Sequence, residues 1–152
     1  MKTNRATFRR AKRIEWWLIA IACLVVALLL SNQIGTNSAR LSNKTAHSIF
    51  DPLLKLFPDL TEEDYTNFHF FFRKCGHVLV HAAVAFSFLR AFWYTFGKKT
   101  PAVFLALLLA FCIALFDEIV QIRTPGRVWA VKDIGYNTVG SIIGICLSGI
   151  TI

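Results

Sequence analysis

Hydrophobic positions along the chain gather into four long runs separated by polar stretches. The first, Ile14 to Ser31 (IEWWLIAIACLVVALLLS), is almost unbroken. Eighteen residues of helix rise about 27 Å, close to the thickness of a bilayer's hydrocarbon core. Glu15 stands at its start, and Trp16 and Trp17 suit the membrane–water interface. Residues 32 to 60 are polar and then amphipathic. There Asp51-Pro52 opens a short apolar turn (Leu53, Leu54, Leu56, Phe57) that Pro58 stops. Thr61 reads as an N-cap with Glu62, Glu63 and Asp64 in the first turn, where carboxylates meet the positive end of the helix dipole. That helix continues through Phe68–Phe72 into the second run, Cys75 to Phe96.

Gly97-Lys98-Lys99-Thr100-Pro101 breaks the chain, and Pro101 suits the first turn of the third run. That run begins at Ala102 and closes on Asp117-Glu118-Ile119-Val120-Gln121, after which Thr124-Pro125-Gly126-Arg127 reads as a turn. The fourth run, Ile134 to Ile152, is rich in Gly and Ser and is the weakest. The pattern predicts an all-α fold, a polytopic membrane protein with four transmembrane helices at 14–31, 75–96, 102–119 and 134–152. Residues 1–152 form one membrane domain, whose extracytoplasmic loop between the first two spans contains short helices.

Composition agrees with lipid as the destination of this apolar surface. The chain has 152 residues, 55% of them hydrophobic and only 17% charged, where soluble domains carry about a quarter. Four cysteines (Cys23, Cys75, Cys112, Cys146) are isolated and form no CxxC pair, so they read as structural. A net charge of +8 is compatible with a nucleic-acid partner, but position argues otherwise. Lys2, Arg5, Arg9, Arg10, Lys12 and Arg13 all precede the first apolar run, as on a cytoplasmic flank facing anionic lipid. No nucleic-acid partner is expected.

An N-terminal apolar segment after positive charge also fits a signal peptide. The length of the run and the indifferent cleavage context that follows favour an uncleaved anchor. Lys98 and Lys99 lie on the same side as the N-terminal tail, making eight basic residues in short flanks without a carboxylate. The other side spreads eight basic residues over longer segments, balanced by eight carboxylates. Both termini are therefore expected in the cytoplasm.

Under that topology polar residues converge at the outer ends of spans two, three and four. Arg73, His77 and His81 are spaced by four and share one helix face, beside Lys74. Asp117 and Gln121 repeat that spacing next to Glu118, as do Asp133 and Asn137; Arg123 and Arg127 come from the turn between. Ionisable groups at membrane depth are expensive and tend to pair, turn inward or mark a site. Singly, each has an ordinary explanation: headgroup contact for Arg73 and Lys74, helix neighbours for His77 and His81, rim pairing for Asp117 and Glu118. Jointly they point to a pocket. His77 and His81 with a carboxylate approach a helical two-His zinc plan, but Val78 and Leu79 stand where a His-Glu-x-x-His motif needs Glu, and no metal or cofactor is assigned. Gly140, Gly144 and Ser148 form a small-residue stripe suited to close helix packing. Arg90, in the inner half of span two, is expected to snorkel to headgroups.

With these residues in view the chain resembles the VanZ-like family, named for a protein linked to teicoplanin resistance. The resemblance rests on Arg73-Lys74-x-x-His77 opening span two, Asp117-Glu118-x-x-Gln121 closing span three, then Arg127, Asp133, Asn137 and Gly140. It extends from span one to the C-terminus. Two positions depart from the family pattern: His81 stands where many relatives have Tyr, and Val120 where an Asp-Glu-x-His-Gln motif has His. The resemblance implies a role in the Gram-positive cell envelope and in low-level glycopeptide resistance. It brings no biochemical mechanism, and the phosphotransbutyrylase label that circulates for such sequences fits four spans poorly.

Three functions follow as expectations. In the first, an outer pocket binds an anionic membrane lipid or lipid-linked cell-wall precursor, with Arg73, Lys74 and Arg127 on phosphate and His81, Gln121, Asp133 and Asn137 in support. In the second, an enzyme works there, with His77 as acid or base, Asp117 or Glu118 orienting it and Arg127 stabilising charge. In the third, the chain is a structural subunit that packs through Gly140, Gly144 and Ser148.

Overall fold

The computed structural model describes the backbone of residues 2–32, 35–123 and 131–152, and the side chains of these except 2–5 and 35–39. The described residues form five helices and no strand: α1 (Lys2–Ser31), α2 (Gly35–Leu56), α3 (Glu62–Phe96), α4 (Lys99–Arg123) and α5 (Val131–Ile150). Three are long and apolar enough to cross a membrane: α1 from Ala6, α3 and α4. The 20-residue α5, which carries Lys132 and Asp133, falls outside that set.

The start of α3 follows from the sequence. Thr61 closes a capping box in which its hydroxyl accepts from the Asp64 amide and its own amide donates to Asp64 Oδ2 at 2.8 Å. At the other end Gly97 adopts the left-handed conformation (φ 69°) and its amide bonds the Trp93 carbonyl, a turn that side-chain-free glycine takes without strain.

The loop expected to contain short helices is instead one continuous helix, α2, with Pro52 inside its last turns. Pro52 withdraws the donor for the Ser48 carbonyl, but it sits on the exposed face, where other partners can reach that oxygen. An aromatic seam joins α2 to the projecting part of α3: His47 stacks on Tyr65 with centroids 4.4 Å apart, and Phe50 packs against Tyr65 and Phe68.

The long α3 is the hub. On one side Val84, Phe88 and Ala91 pack with Ala20 and Ala27 of α1 and Ile113 of α4. On the other Ala85 and Leu89 pack with Ala102, Ala106 and Ala110 of α4 and Ile145 of α5. Alanines at these contacts let the backbones come close, which is how helices associate where lipid offers no hydrophobic gain. The α5 stripe serves the same end. A Cβ added at Gly140 would overlap the Val78 carbonyl oxygen, and one at Gly144 the Ala82 carbonyl oxygen. Ser148, next in the stripe, is fully buried.

Outward faces are apolar instead: Leu18, Leu29, Phe104 and Leu147 are all more than half exposed. Such surface belongs in lipid rather than water, and the chain is a membrane protein. The four cysteines are free.

Taken in chain order, α1, α3, α4 and α5 alternate in direction, so that α3 and α5 pack in parallel. At one end the start of α1 meets the end of α3, where Trp17 Nε1 donates to Thr95 Oγ1 at 3.0 Å. At the other, Ser31 at the end of α1 meets Asp117 near the end of α4.

Candidate functional site

The second of these ends gathers the polar residues that the sequence singles out. Asp117 is its centre. Its Oδ2 accepts from Gln121 Nε2 at 3.0 Å, one turn on in α4, and from Asn137 Nδ2 of α5 at 3.3 Å. His81 Nε2 of α3 stands 3.7 Å from the same oxygen. Three helices thus meet on one carboxylate, which is only 6% exposed, and the donors offset its desolvation.

The network also fixes a proton position. Asn137 spends its Nδ2 on a carboxylate that, ionised, can only accept, so its Oδ1 faces His77 Nδ1 at 3.1 Å. That histidine nitrogen carries the hydrogen. A neutral His77 ring then keeps its lone pair on Nε2.

A cavity of about 280 Å³ opens against this network. Arg73, His77, His81, Asp117 and Gln121 supply polar groups to its lining, and Leu30, Leu41, Phe72 and Val80 apolar ones. The four-residue spacing explains the α3 wall, because Arg73, His77 and His81 stack along one face. Gly76 lies beside that face, and a Cβ there would meet nothing within 4 Å, so the missing side chain enlarges the cavity.

The other candidates stand apart from the cavity wall. Lys74 pairs with Asp133, tying α3 to the first turn of α5, and its ammonium lies over the Phe70 and Tyr136 rings at 5.1 and 5.4 Å. It is committed within the protein rather than offered to a ligand. Asn137 is fully buried behind His77, and Glu118 is 1% exposed outside the lining. Arg127 and its turn lie outside the described residues. His77 and His81 turn to different partners, Asn137 and Asp117, and no group of three or more His, Cys, Asp or Glu fit to hold a metal forms among the described residues.

Two walls have no counterpart in the sequence reading. The first helix is more than an anchor: Ala27, Leu30 and Ser31 line the cavity, and Ser31 Oγ donates to the Asp117 carbonyl at 3.4 Å. Leu41, Ser42 and Thr45 of α2 close another side, held there by the Ser42–His69 hydrogen bond of 3.0 Å and the Tyr65 seam. The one sequence signal for them is polarity at the end of an apolar run and along an amphipathic one.

A family model described as VanZ/LLP1 matches residues 16–151, which include every residue of the cavity wall. No curated protein and no solved structure matches the chain.

Proposed function

This chain belongs to the VanZ/LLP1 family, and we propose that it is a multi-pass cell-envelope protein whose cavity binds the anionic headgroup of a membrane lipid or lipid-linked cell-wall precursor. The observation that carries this reading is the mixed lining, in which Arg73, His77, His81, Asp117 and Gln121 stand beside Leu30, Leu41, Phe72 and Val80. Arg73 is the cation of that lining and makes no ion pair among the described residues. A guanidinium so placed suits a phosphate, which it can grip with two donors. The apolar groups suit the start of an acyl or isoprenyl chain.

In this proposal α5 is a fourth span despite its modest hydropathy. Its polar residues Asp133, Asn137 and Ser141 are buried together with Gly140, while Val139, Ile142, Leu147 and Ile150 face outward. A mean over the helix mixes a face turned to α3 with one turned to lipid. The eight basic residues of the short flanks then set both termini in the cytoplasm and the cavity at the outer leaflet. Teicoplanin resistance follows from a hold on a cell-wall precursor at that leaflet in a Gram-positive cell.

The test is a deletion strain complemented with Arg73→Ala or His77→Ala. Both variants are expected in the membrane at normal abundance, with raised teicoplanin susceptibility and altered envelope lipids or precursors. Wild-type susceptibility and composition in both variants would refute the reading.

A second reading, catalysis on the bound molecule, draws on the His77 ring. Its Nδ1–H is held by Asn137, so Nε2 is the nitrogen able to take a proton, and the Asn137–Asp117 pair steadies the imidazolium that results. Under this reading His77→Gln keeps lipid binding and loses turnover.

A further inference from the structure

The end of the bundle opposite the cavity carries charge of nearly one sign. Arg9 donates from Nε and Nη2 to the Tyr94 and Trp93 carbonyls, both at 3.3 Å, and Lys99 Nζ donates to the Gly149 carbonyl at 2.8 Å. Arg13 and Lys98 are exposed nearby in sequence. The sole acidic side chain in residues 2–31, 90–101 and 148–152 is Glu15, already taken by Lys12 at 2.8 Å.

Arg90 stands apart from these surface cations. Side chains on a helix lean towards its N-terminus, which for α3 is towards the cavity end. The guanidinium accordingly lies over Phe86, one turn back, at 5.4 Å, and over Trp16 of α1 at 5.2 Å. Nη2 donates to Thr151 Oγ1, just past α5. The Nε atom is buried, with no hydrogen-bond partner among the described residues, and Arg90 makes no ion pair there. Ser148 Oγ, on the turn whose carbonyl accepts from Thr151 at 2.9 Å, is likewise buried without a partner.

Two aromatic faces stabilise a cation but leave the donors in the guanidinium plane untouched. The edge that includes Nε is the one that grips two oxygens of an oxyanion. An unbalanced charge with a buried, orphaned donor is costly at the partly exposed edge of an apolar bundle, and a neutral molecule answers only half of that cost. We infer that Arg90 is a second binding site, distinct from the cavity, for a phosphate-class oxyanion between α1, α3 and Thr151. The anionic phospholipid headgroup is the natural source. Apolar surface for its chains lies alongside, since Ile19 of α1 and Leu147 and Ile150 of α5 are exposed.

The test is native mass spectrometry of the full chain in detergent with added dioleoyl phosphatidylglycerol, with inorganic phosphate in a parallel arm. Wild-type protein is expected to retain a phosphatidylglycerol that Arg90→Ala holds about tenfold more weakly, while Lys55→Ala, which removes an exposed charge on α2 outside both sites, leaves this retention unchanged. Arg90→Lys keeps the charge and loses the fork, so it is expected to weaken retention too, which covers the case where the alanine variant does not fold. Phosphate binding that depends on Arg90, without a further gain from the lipid, would assign the site to the free anion. Equal retention of both probes by wild type and Arg90→Lys would overturn the site.

Discussion

His77 Nδ1 and Asn137 Oδ1 meet at 3.1 Å across the α3–α5 contact, and the same asparagine donates its Nδ2 to Asp117 at 3.3 Å. One buried amide therefore satisfies a histidine and a carboxylate on two other helices. Asn137→Ala leaves both short of a partner. A loss of about 1–3 kcal/mol in unfolding free energy is expected, measured by chemical or thermal unfolding in detergent. The ¹⁵N spectrum of labelled histidine should at the same time lose its uniform Nδ1–H form for His77. Unchanged histidine tautomers would show that the amide does not set the proton.

Gly76 offers a way to fill the cavity without touching the packing. Because a Cβ there meets open space, Gly76→Leu should project into the cavity with little strain. We expect unfolding within about 0.5 kcal/mol of wild type, the usual range for changes away from packed features, together with loss of the Arg73-dependent binding of anionic lipid or precursor. Binding that survives the leucine would place the ligand elsewhere.

The glycines of α5 should behave in the opposite way. At Gly140 and Gly144 the obstacle is α3 backbone, which cannot rotate aside as a side chain can. Gly144→Leu is expected to cost about 3 kcal/mol or more, at the upper end of the range for overpacking. Gly135→Ala, with nothing within 4 Å, should be neutral or gain up to about 1 kcal/mol from helix propensity. Comparing the two in one unfolding assay separates helix contact from helix formation.

The Lys74–Asp133 pair is mostly buried, with side chains 18% and 10% exposed. Lys74→Met should cost about 3 kcal/mol, near the lower edge for a broken buried pair, because it strands a carboxylate. Lys74→Met combined with Asp133→Asn should recover part of that loss. A double-mutant cycle on unfolding free energies reads the coupling, and strict additivity would show that the two charges do not act together.

Much of this arrangement is legible in the sequence because it depends on local spacing. Thr61 with Asp64 marks the start of α3, and the four-residue steps through Arg73, His77 and His81 set one face of the cavity. Asp117 with Gln121 and Asp133 with Asn137 carry the same periodicity into α4 and α5. What is not legible depends on contacts distant in the chain. Nothing near Ser31 signals that it will reach Asp117, 86 residues away. The α2 wall is hidden by Pro52, which reads as a break yet falls where a lost hydrogen bond costs little. For Arg90 the missing information is of the same kind, since its seat on the Trp16 ring depends on a contact with α1 far away in the chain.

The length of α3 has a consequence of its own. Thirty-five residues without a break make a rod of about 52 Å, against a hydrocarbon slab of about 30 Å. Arg90 and His77 ride on that rod 13 residues apart, or about 20 Å along its axis. Their spacing is thus set by covalent geometry and not by the lipid around them. In a thicker or thinner bilayer the rod can tilt or the lipid can deform, but the two stations cannot shift relative to each other. The helix is a fixed gauge, and membrane thickness decides how well both stations sit at their own depth.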